Sequence, residues 1–123
     1  MYKISVTTQI AAAHRLRGYE GACENLHGHN WLIRATVVSD QLDSLGMVYD
    51  FKKLKLHLHD IVDQLDHRLI NDVPPFDVVN PTSERIAQFI FDALAPKLPA
   101  PLRLASVEVG ESANYLACYE SPC

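Results

Sequence analysis

The stretch HNWLIRATV, residues 29–37, decides the fold. Trp31, Ile33, Ala35 and Val37 alternate with Leu32, Arg34 and Thr36, the period of two that marks a half-buried β-strand. This strand is entered through CENLHGHNW, residues 23–31, which crowds a thiol, a carboxylate and two histidines into a short space. Upstream, residues 2–13 are rich in Ile, Val and Thr and read as another strand, with His14 at its end. Between the two, RGYEGACEN has the glycines and small polar residues of an irregular connection, a common place for functional groups held by a rigid sheet.

Downstream the period changes. Leu54, Leu58, Ile61, Val62 and Leu65 form the apolar stripe of an amphipathic helix that should end near LDHRLIND, residues 65–72. NPTSER, residues 80–85, is a helix start, with Asn80 or Thr82 as cap and Pro81 in the first turn. Ile86, Phe89, Ile90, Ala93 and Leu94 continue it as a second stripe, and Pro96 and Pro99 end it. LRLASVEV and YLACY, around GESAN, read as two last strands joined by a tight connection. The order strand, strand, helix, helix, strand, strand predicts a single α+β domain over residues 1–123. Two helices would cover one face of a four-stranded antiparallel sheet, leaving the other face and the edges open unless copies of the chain assemble.

Composition narrows the function. The 123 residues are 48% hydrophobic and 21% charged, ordinary for a globular domain. A formal net charge of −4, with no run of lysine or arginine, argues against nucleic acid as partner and leaves a small charged ligand open. No segment has the roughly 18 apolar residues of a membrane helix. The N-terminus alternates like a strand where a signal peptide would carry an apolar block, so a cytoplasmic protein is expected. Three cysteines, Cys23, Cys118 and Cys123, make an odd set best read as reduced thiols.

His27 and His29, two apart at the mouth of a strand, project to one side, and pairing of the first two strands brings His14 beside them. Three neutral imidazoles suit zinc and leave a fourth position open. The plainer alternative is a polar His-Gly-His loop with His14 as a hydrogen-bonded core residue. His57 and His59 share the two-residue spacing, but within a helix they do not face each other, so they read as surface or packing groups. Cys23 is a fourth ligand, which would close the site, a thiol of lowered pKa beside the metal, or an inert small residue of the loop. Asp66 and His67 close the first helix, either as a dipole-favoured terminus or as a carboxylate and imidazole paired for proton transfer. Glu111 is either an exposed turn carboxylate or an acceptor for two parallel hydrogen bonds from a guanidine-like edge such as that of a pterin.

Taken together, AAAHRL, CENLHGHNW, GMVYDF, LDHRLIN, NPTSERIAQFI and VEVGES resemble the 6-pyruvoyl-tetrahydropterin synthase family, and more closely its bacterial 6-carboxy-tetrahydropterin synthase branch. The resemblance runs in order along nearly the whole chain. It implies the tunnelling fold (T-fold), with trimers closing a twelve-stranded barrel and often stacking in pairs. It makes His14, His27 and His29 zinc ligands, Cys23 the proton-transferring thiol, Asp66 with His67 the partner acid/base pair, Glu111 the pterin anchor and Thr82 a further substrate-binding residue. These groups would meet at a subunit interface. The implied reaction takes 7,8-dihydroneopterin triphosphate to 6-carboxy-tetrahydropterin, acetaldehyde and triphosphate, on the route to queuosine. Arg15 and Arg17 lie near enough to hold triphosphate, or are simply solvated. Ile10 stands where the family often has phenylalanine, and Ser112 where it often has threonine. Glu24 matters more. ENLHGH also resembles a subgroup that cleaves the side chain to 6-hydroxymethyl-dihydropterin for folate, which leaves open a bifunctional chain with Glu24 as a second acid/base. A zinc-stabilised binding module without turnover is the remaining alternative.

Overall fold

The computed structural model describes residues 1–18, 21 and 25–122. Cys23 and Glu24 lie outside the described residues. The strands are β1 (Tyr2–His14), β2 (His27–Ser39), β3 (Arg103–Ser112) and β4 (Tyr115–Glu120), and the helices are α1 (Phe51–Val62) and α2 (Ser83–Leu94). The strands lie in the order β1-β2-β3-β4, each antiparallel to its neighbour.

The alternation along residues 29–37 is realised in the sheet. Trp31, Ile33, Ala35 and Val37 are buried beneath the helices with Val6, Ile10, Ala12, Leu104, Val107 and Val109 from the flanking strands. From above, α1 contributes Leu54, Leu58, Ile61 and Val62, and α2 contributes Ile86, Ala87, Ile90, Phe91 and Leu94. Both helices pack on the same face, so one core lies between two layers.

Three boundaries differ from expectation. β2 starts at His27, two residues before the alternation becomes visible, because Gly28 and Asn30 face away from the helices and carry no apolar signal. α2 starts at Ser83, with Thr82 rather than Asn80 as its cap: the Thr82 hydroxyl accepts from the Arg85 backbone N–H at 3.1 Å. Pro81 therefore precedes the helix. α1 is capped by Asp50, whose carboxylate accepts from the Lys52 N–H at 2.8 Å, and it stops at Val62. Leu65 still reaches the core, but from a turn, and Asp66 and His67 stand beyond the helix, so the helix-terminus reading of that pair is wrong.

The pair is held instead by the outer edge of β1. The His67 backbone N–H donates to the Ala11 carbonyl, the Ala13 N–H donates to the Arg68 carbonyl at 3.0 Å, and the Ala11 N–H donates to Asp66 Oδ1 at 2.9 Å. Residues 66–68 thus satisfy an edge that would otherwise be bare.

Candidate metal centre

Strand register builds the site. His14 pairs with His27 and Ala12 with His29 across β1 and β2, and residues two apart share a face, so all three imidazoles lie on the helix-covered face at one end of the sheet. On β3, Val107 and Val109 point to that same face, and Glu111 follows in the same alternation. His14, His27, His29 and Glu111 each offer one ligand atom, and these four atoms lie within 4.8 Å of one another.

The backbone sets which ring nitrogen is available. His14 Nδ1 lies 2.8 Å from the Pro81 carbonyl oxygen and His27 Nδ1 lies 2.8 Å from that of Asn25. A carbonyl only accepts, so each Nδ1 carries the proton and leaves Nε2 with its lone pair free, the usual arrangement of a metal-binding histidine with an outer partner. The Nε2 atoms of His14 and His29 are buried and have no hydrogen-bond partner among the described residues. Glu111 faces both, Oε1 at 3.6 Å from His14 Nε2 and Oε2 at 3.4 Å from His29 Nε2. Burial is the main cause that pushes the His14 and His29 pKa values below the ordinary histidine value, against the opposing pull of Glu111. Neutral imidazoles are the form that binds a metal.

Trp31 forms the floor. Its indole meets His14 and His29 edge to face at centroid distances of 4.7 and 5.3 Å, and its Nε1–H donates to the Ala12 carbonyl at 3.1 Å. The alternation marks Trp31 as core but does not reveal this supporting role.

Asn71, which the sequence left unassigned, and Asn80, which it offered only as a helix cap, both hold the chain after β1. Asn71 accepts from the Arg15 N–H at 2.9 Å and donates to the Arg15 carbonyl at 3.0 Å. Asn80 does the same for Arg17, at 2.9 Å in both directions. Each side-chain amide stands in for a neighbouring strand and fixes the chain as it leaves His14. Their signal was the Asn in LDHRLIN and in NPTSER. The Arg17 guanidinium donates to the Phe76 carbonyl at 2.9 Å.

The Asp66–His67 pair is separate from the four-donor group. Asp66 Oδ1 lies 3.0 Å from His67 Nδ1, and the imidazole is 81% exposed. Hydrogen bonding from the Ala11 N–H, followed by the contacts with His67, holds the Asp66 carboxyl below the usual range although its partial burial opposes this. His67 has φ of 58°, a left-handed conformation uncommon outside glycine, which turns its backbone N–H to Ala11. His67 and Arg68 border an open groove of about 510 Å³ that also reaches Gly28, His29 and Asn30. Thr82 is engaged as the α2 cap. His57 hydrogen-bonds the Tyr49 hydroxyl at 2.9 Å, and His59 bridges Thr8 and Asp63 at 3.0 Å each, so both remain apart from the cluster.

The donors fit a zinc ion. Three imidazole nitrogens and one carboxylate are ordinary zinc ligands, and two of the buried nitrogens have no other partner among the described residues.

The family model described as 6-pyruvoyl tetrahydropterin synthase matches residues 3–122. A 6-carboxy-5,6,7,8-tetrahydropterin synthase from Synechocystis sp. is 44% identical, over 99% of this chain and 95% of the relative. A 6-pyruvoyl tetrahydrobiopterin synthase from Dictyostelium discoideum is 34% identical, over 80% of this chain and 73% of the relative. The solved structure of Caenorhabditis elegans 6-pyruvoyl tetrahydropterin synthase superposes with a TM-score of 0.88 at 28% identity, covering 98% of this chain and 95% of that one.

Proposed function

The chain belongs to the 6-pyruvoyl tetrahydropterin synthase family, and from that premise we propose that it is a zinc-dependent 6-carboxy-5,6,7,8-tetrahydropterin synthase. It converts 7,8-dihydroneopterin triphosphate to 6-carboxy-tetrahydropterin, acetaldehyde and triphosphate, as a carbon–carbon and carbon–oxygen lyase. The observation that carries this reading is the convergence of His14, His27 and His29 with Glu111, two of the rings having Nδ1 tied to backbone carbonyls. The high identity to the Synechocystis relative favours the carboxy product over the pyruvoyl one.

The residues divide the work. His14, His27 and His29 hold zinc. When bound, zinc supplies Lewis-acid polarisation of the substrate's side-chain hydroxyls. Asp66 accepts the Nδ1 proton of His67 and so turns Nε2 outward as a proton acceptor or donor. Cys23 is the second proton-transferring group. Glu111 is the pterin anchor and borders an open groove of about 660 Å³ with Ser83, Asn114 and Leu116; Thr82, at the mouth of α2, is a further substrate-binding residue.

Asp66 and His67 stand outside the four-donor group, which supports a site completed by the pair of a second copy. A homo-oligomer, a trimer or a dimer of trimers, would bring the two halves together and cover the open sheet. The chain then acts as a single cytoplasmic domain whose product enters the 7-deazaguanine route to queuosine.

The test is to incubate zinc-loaded protein with 7,8-dihydroneopterin triphosphate and identify the products by mass spectrometry. Carboxy-tetrahydropterin with acetaldehyde is the expected result. Hydroxymethyl-dihydropterin would redirect the reading to folate-type cleavage and give Glu24 a role. Unchanged substrate from a folded, zinc-replete oligomer would leave a non-catalytic zinc module.

A further inference from the structure

We propose that Thr8, His59 and Asp63 form an acyl-transfer site of their own, in which the Thr8 hydroxyl attacks small anionic carboxylic esters. The inference goes beyond the synthase reading and stands on different residues, at the contact between β1 and α1.

The three side chains lie in hydrogen-bonded series. Asp63 Oδ1 is 3.0 Å from His59 Nδ1, and His59 Nε2 is 3.0 Å from Thr8 Oγ1. An ionised carboxylate only accepts, so Nδ1 carries the imidazole proton and Nε2 offers its lone pair to the hydroxyl. Thr8 therefore donates to a base that a third group orients, the arrangement that activates a hydroxyl nucleophile.

Neither end of the series is where packing alone would put it. The helix-facing row of β1 from Ile4 to Ala12 is apolar at Ile4, Val6, Ile10 and Ala12 and polar only at Thr8. Asp63 caps the C-terminus of α1, the negative end of the helix dipole, where a carboxylate is disfavoured. His59 is the partner of both misplaced groups, and it stands four residues before Asp63 on the same helix face.

Solvent and substrate reach the imidazole, which is 32% exposed. His59 borders an open groove of about 390 Å³ together with Lys52, Lys55 and Leu56. Leu56 suits an apolar body. The two lysines bring positive charge, which favours an anionic substrate and the oxyanion of a tetrahedral intermediate.

The reaction follows from these places. Thr8 Oγ1 bonds to the ester carbonyl carbon as its proton passes to His59 Nε2. The carbon–oxygen bond to the leaving group then breaks, and the Nε2 proton goes to the departing alkoxide. Water attacks the acyl-threonine, gives its proton to Nε2, and releases the carboxylic acid as Thr8 regains its hydrogen. Thr8 and His59 are the catalytic residues; Asp63 is a positioning residue that keeps Nδ1 protonated.

The experiment gives the zinc-loaded full chain ortho-nitrophenyl acetate and the same ester carrying a ring carboxylate, and follows nitrophenol release. Acid-quenched protein is then searched for acetyl groups by peptide mass spectrometry. Wild type should release nitrophenol faster from the carboxylated ester and carry acetyl on Thr8. Thr8→Val and His59→Gln should lose about 10²-fold in that rate, while Thr8→Ser restores it. Asp63→Asn should slow acylation at an unchanged melting temperature, with the label still on Thr8. Release at the wild-type rate from Thr8→Val, or acetyl found only on lysine or cysteine, would overturn the inference. Equal rates on the two esters would overturn the anionic substrate class. Pterin turnover should be the same in Thr8→Val as in wild type; a chain that cleaves the ester through Thr8 but forms no pterin product would defeat the synthase reading alone.

Discussion

His14 Nδ1 donates to the carbonyl oxygen of Pro81 across 2.8 Å, and this contact ties the end of β1 to the segment that starts α2. Asn80, one residue earlier, holds the backbone of Arg17, and Thr82, one residue later, caps the helix. Three consecutive residues therefore join strand end, loop and helix around one imidazole of the four-donor group.

Asn80→Ala should loosen this junction. It removes two side-chain hydrogen bonds to the Arg17 backbone, worth together about 1–3 kcal/mol. A lower denaturation midpoint and weaker zinc retention under chelator challenge are expected. A variant with wild-type stability and zinc affinity would show that the junction is redundant.

The metal-free protein should lose stability as pH falls from neutrality. His14 and His29 have folded pKa values below the ordinary 6.5, chiefly through burial, so below pH 6.5 the unfolded chain binds protons that the folded chain does not. Their contribution is fully present above that pH and is lost on descending through the lowered folded values. Asp66, lowered from 3.8 mainly by the Ala11 N–H, adds a second loss in more acid solution. Thermal melts of metal-free protein across this range check the sign, and a midpoint that rises on acidification would contradict it.

Asp66→Asn should leave zinc content unchanged and lower kcat by about 10²-fold, since the imidazole loses the anionic partner that orients Nδ1. The amide oxygen can still accept from Ala11, so the fold should survive. A kcat equal to that of wild type would remove the pair from proton transfer.

Gly110→Ala should destabilise the β3–β4 end by about 1–3 kcal/mol, because the new methyl group meets backbone oxygen and the Leu116 side chain. The same shift displaces Glu111. Equilibrium unfolding measures the first effect and zinc affinity the second; a neutral result in both would mean that the end of β3, where the register to β4 shifts between Gly110 and Ser112, relaxes freely.

Cys23→Ala should retain zinc and lose turnover. Loss of zinc would instead identify the thiol as a ligand, and near wild-type turnover would exclude it as an acid or base.

Most of the fold was legible because its signals are local. The alternation of Trp31, Ile33, Ala35 and Val37 and the stripes from Leu54 to Val62 and from Ile86 to Leu94 report which side of each element is dry. Misreadings fell where local pattern and tertiary demand part. Leu65 continues the α1 stripe in sequence, but Asp66 and His67 are drawn out of the helical path by hydrogen bonds to Ala11. Gly28 and Asn30 hide the start of β2 because an outward-facing side of an open sheet imposes no apolar requirement.

By itself the sequence determined the element order, the helix-facing side of each strand, and the placing of His14, His27 and His29 at strand ends, since these follow from periodicity along one chain. Only the tertiary structure decided that Glu111 joins the histidines, that backbone carbonyls orient two of the rings, and that Asp66 and His67 hang on the edge of β1. Those outcomes depend on register between distant strands and on unpaired backbone groups seeking partners, and neither is written in the local pattern of any one segment.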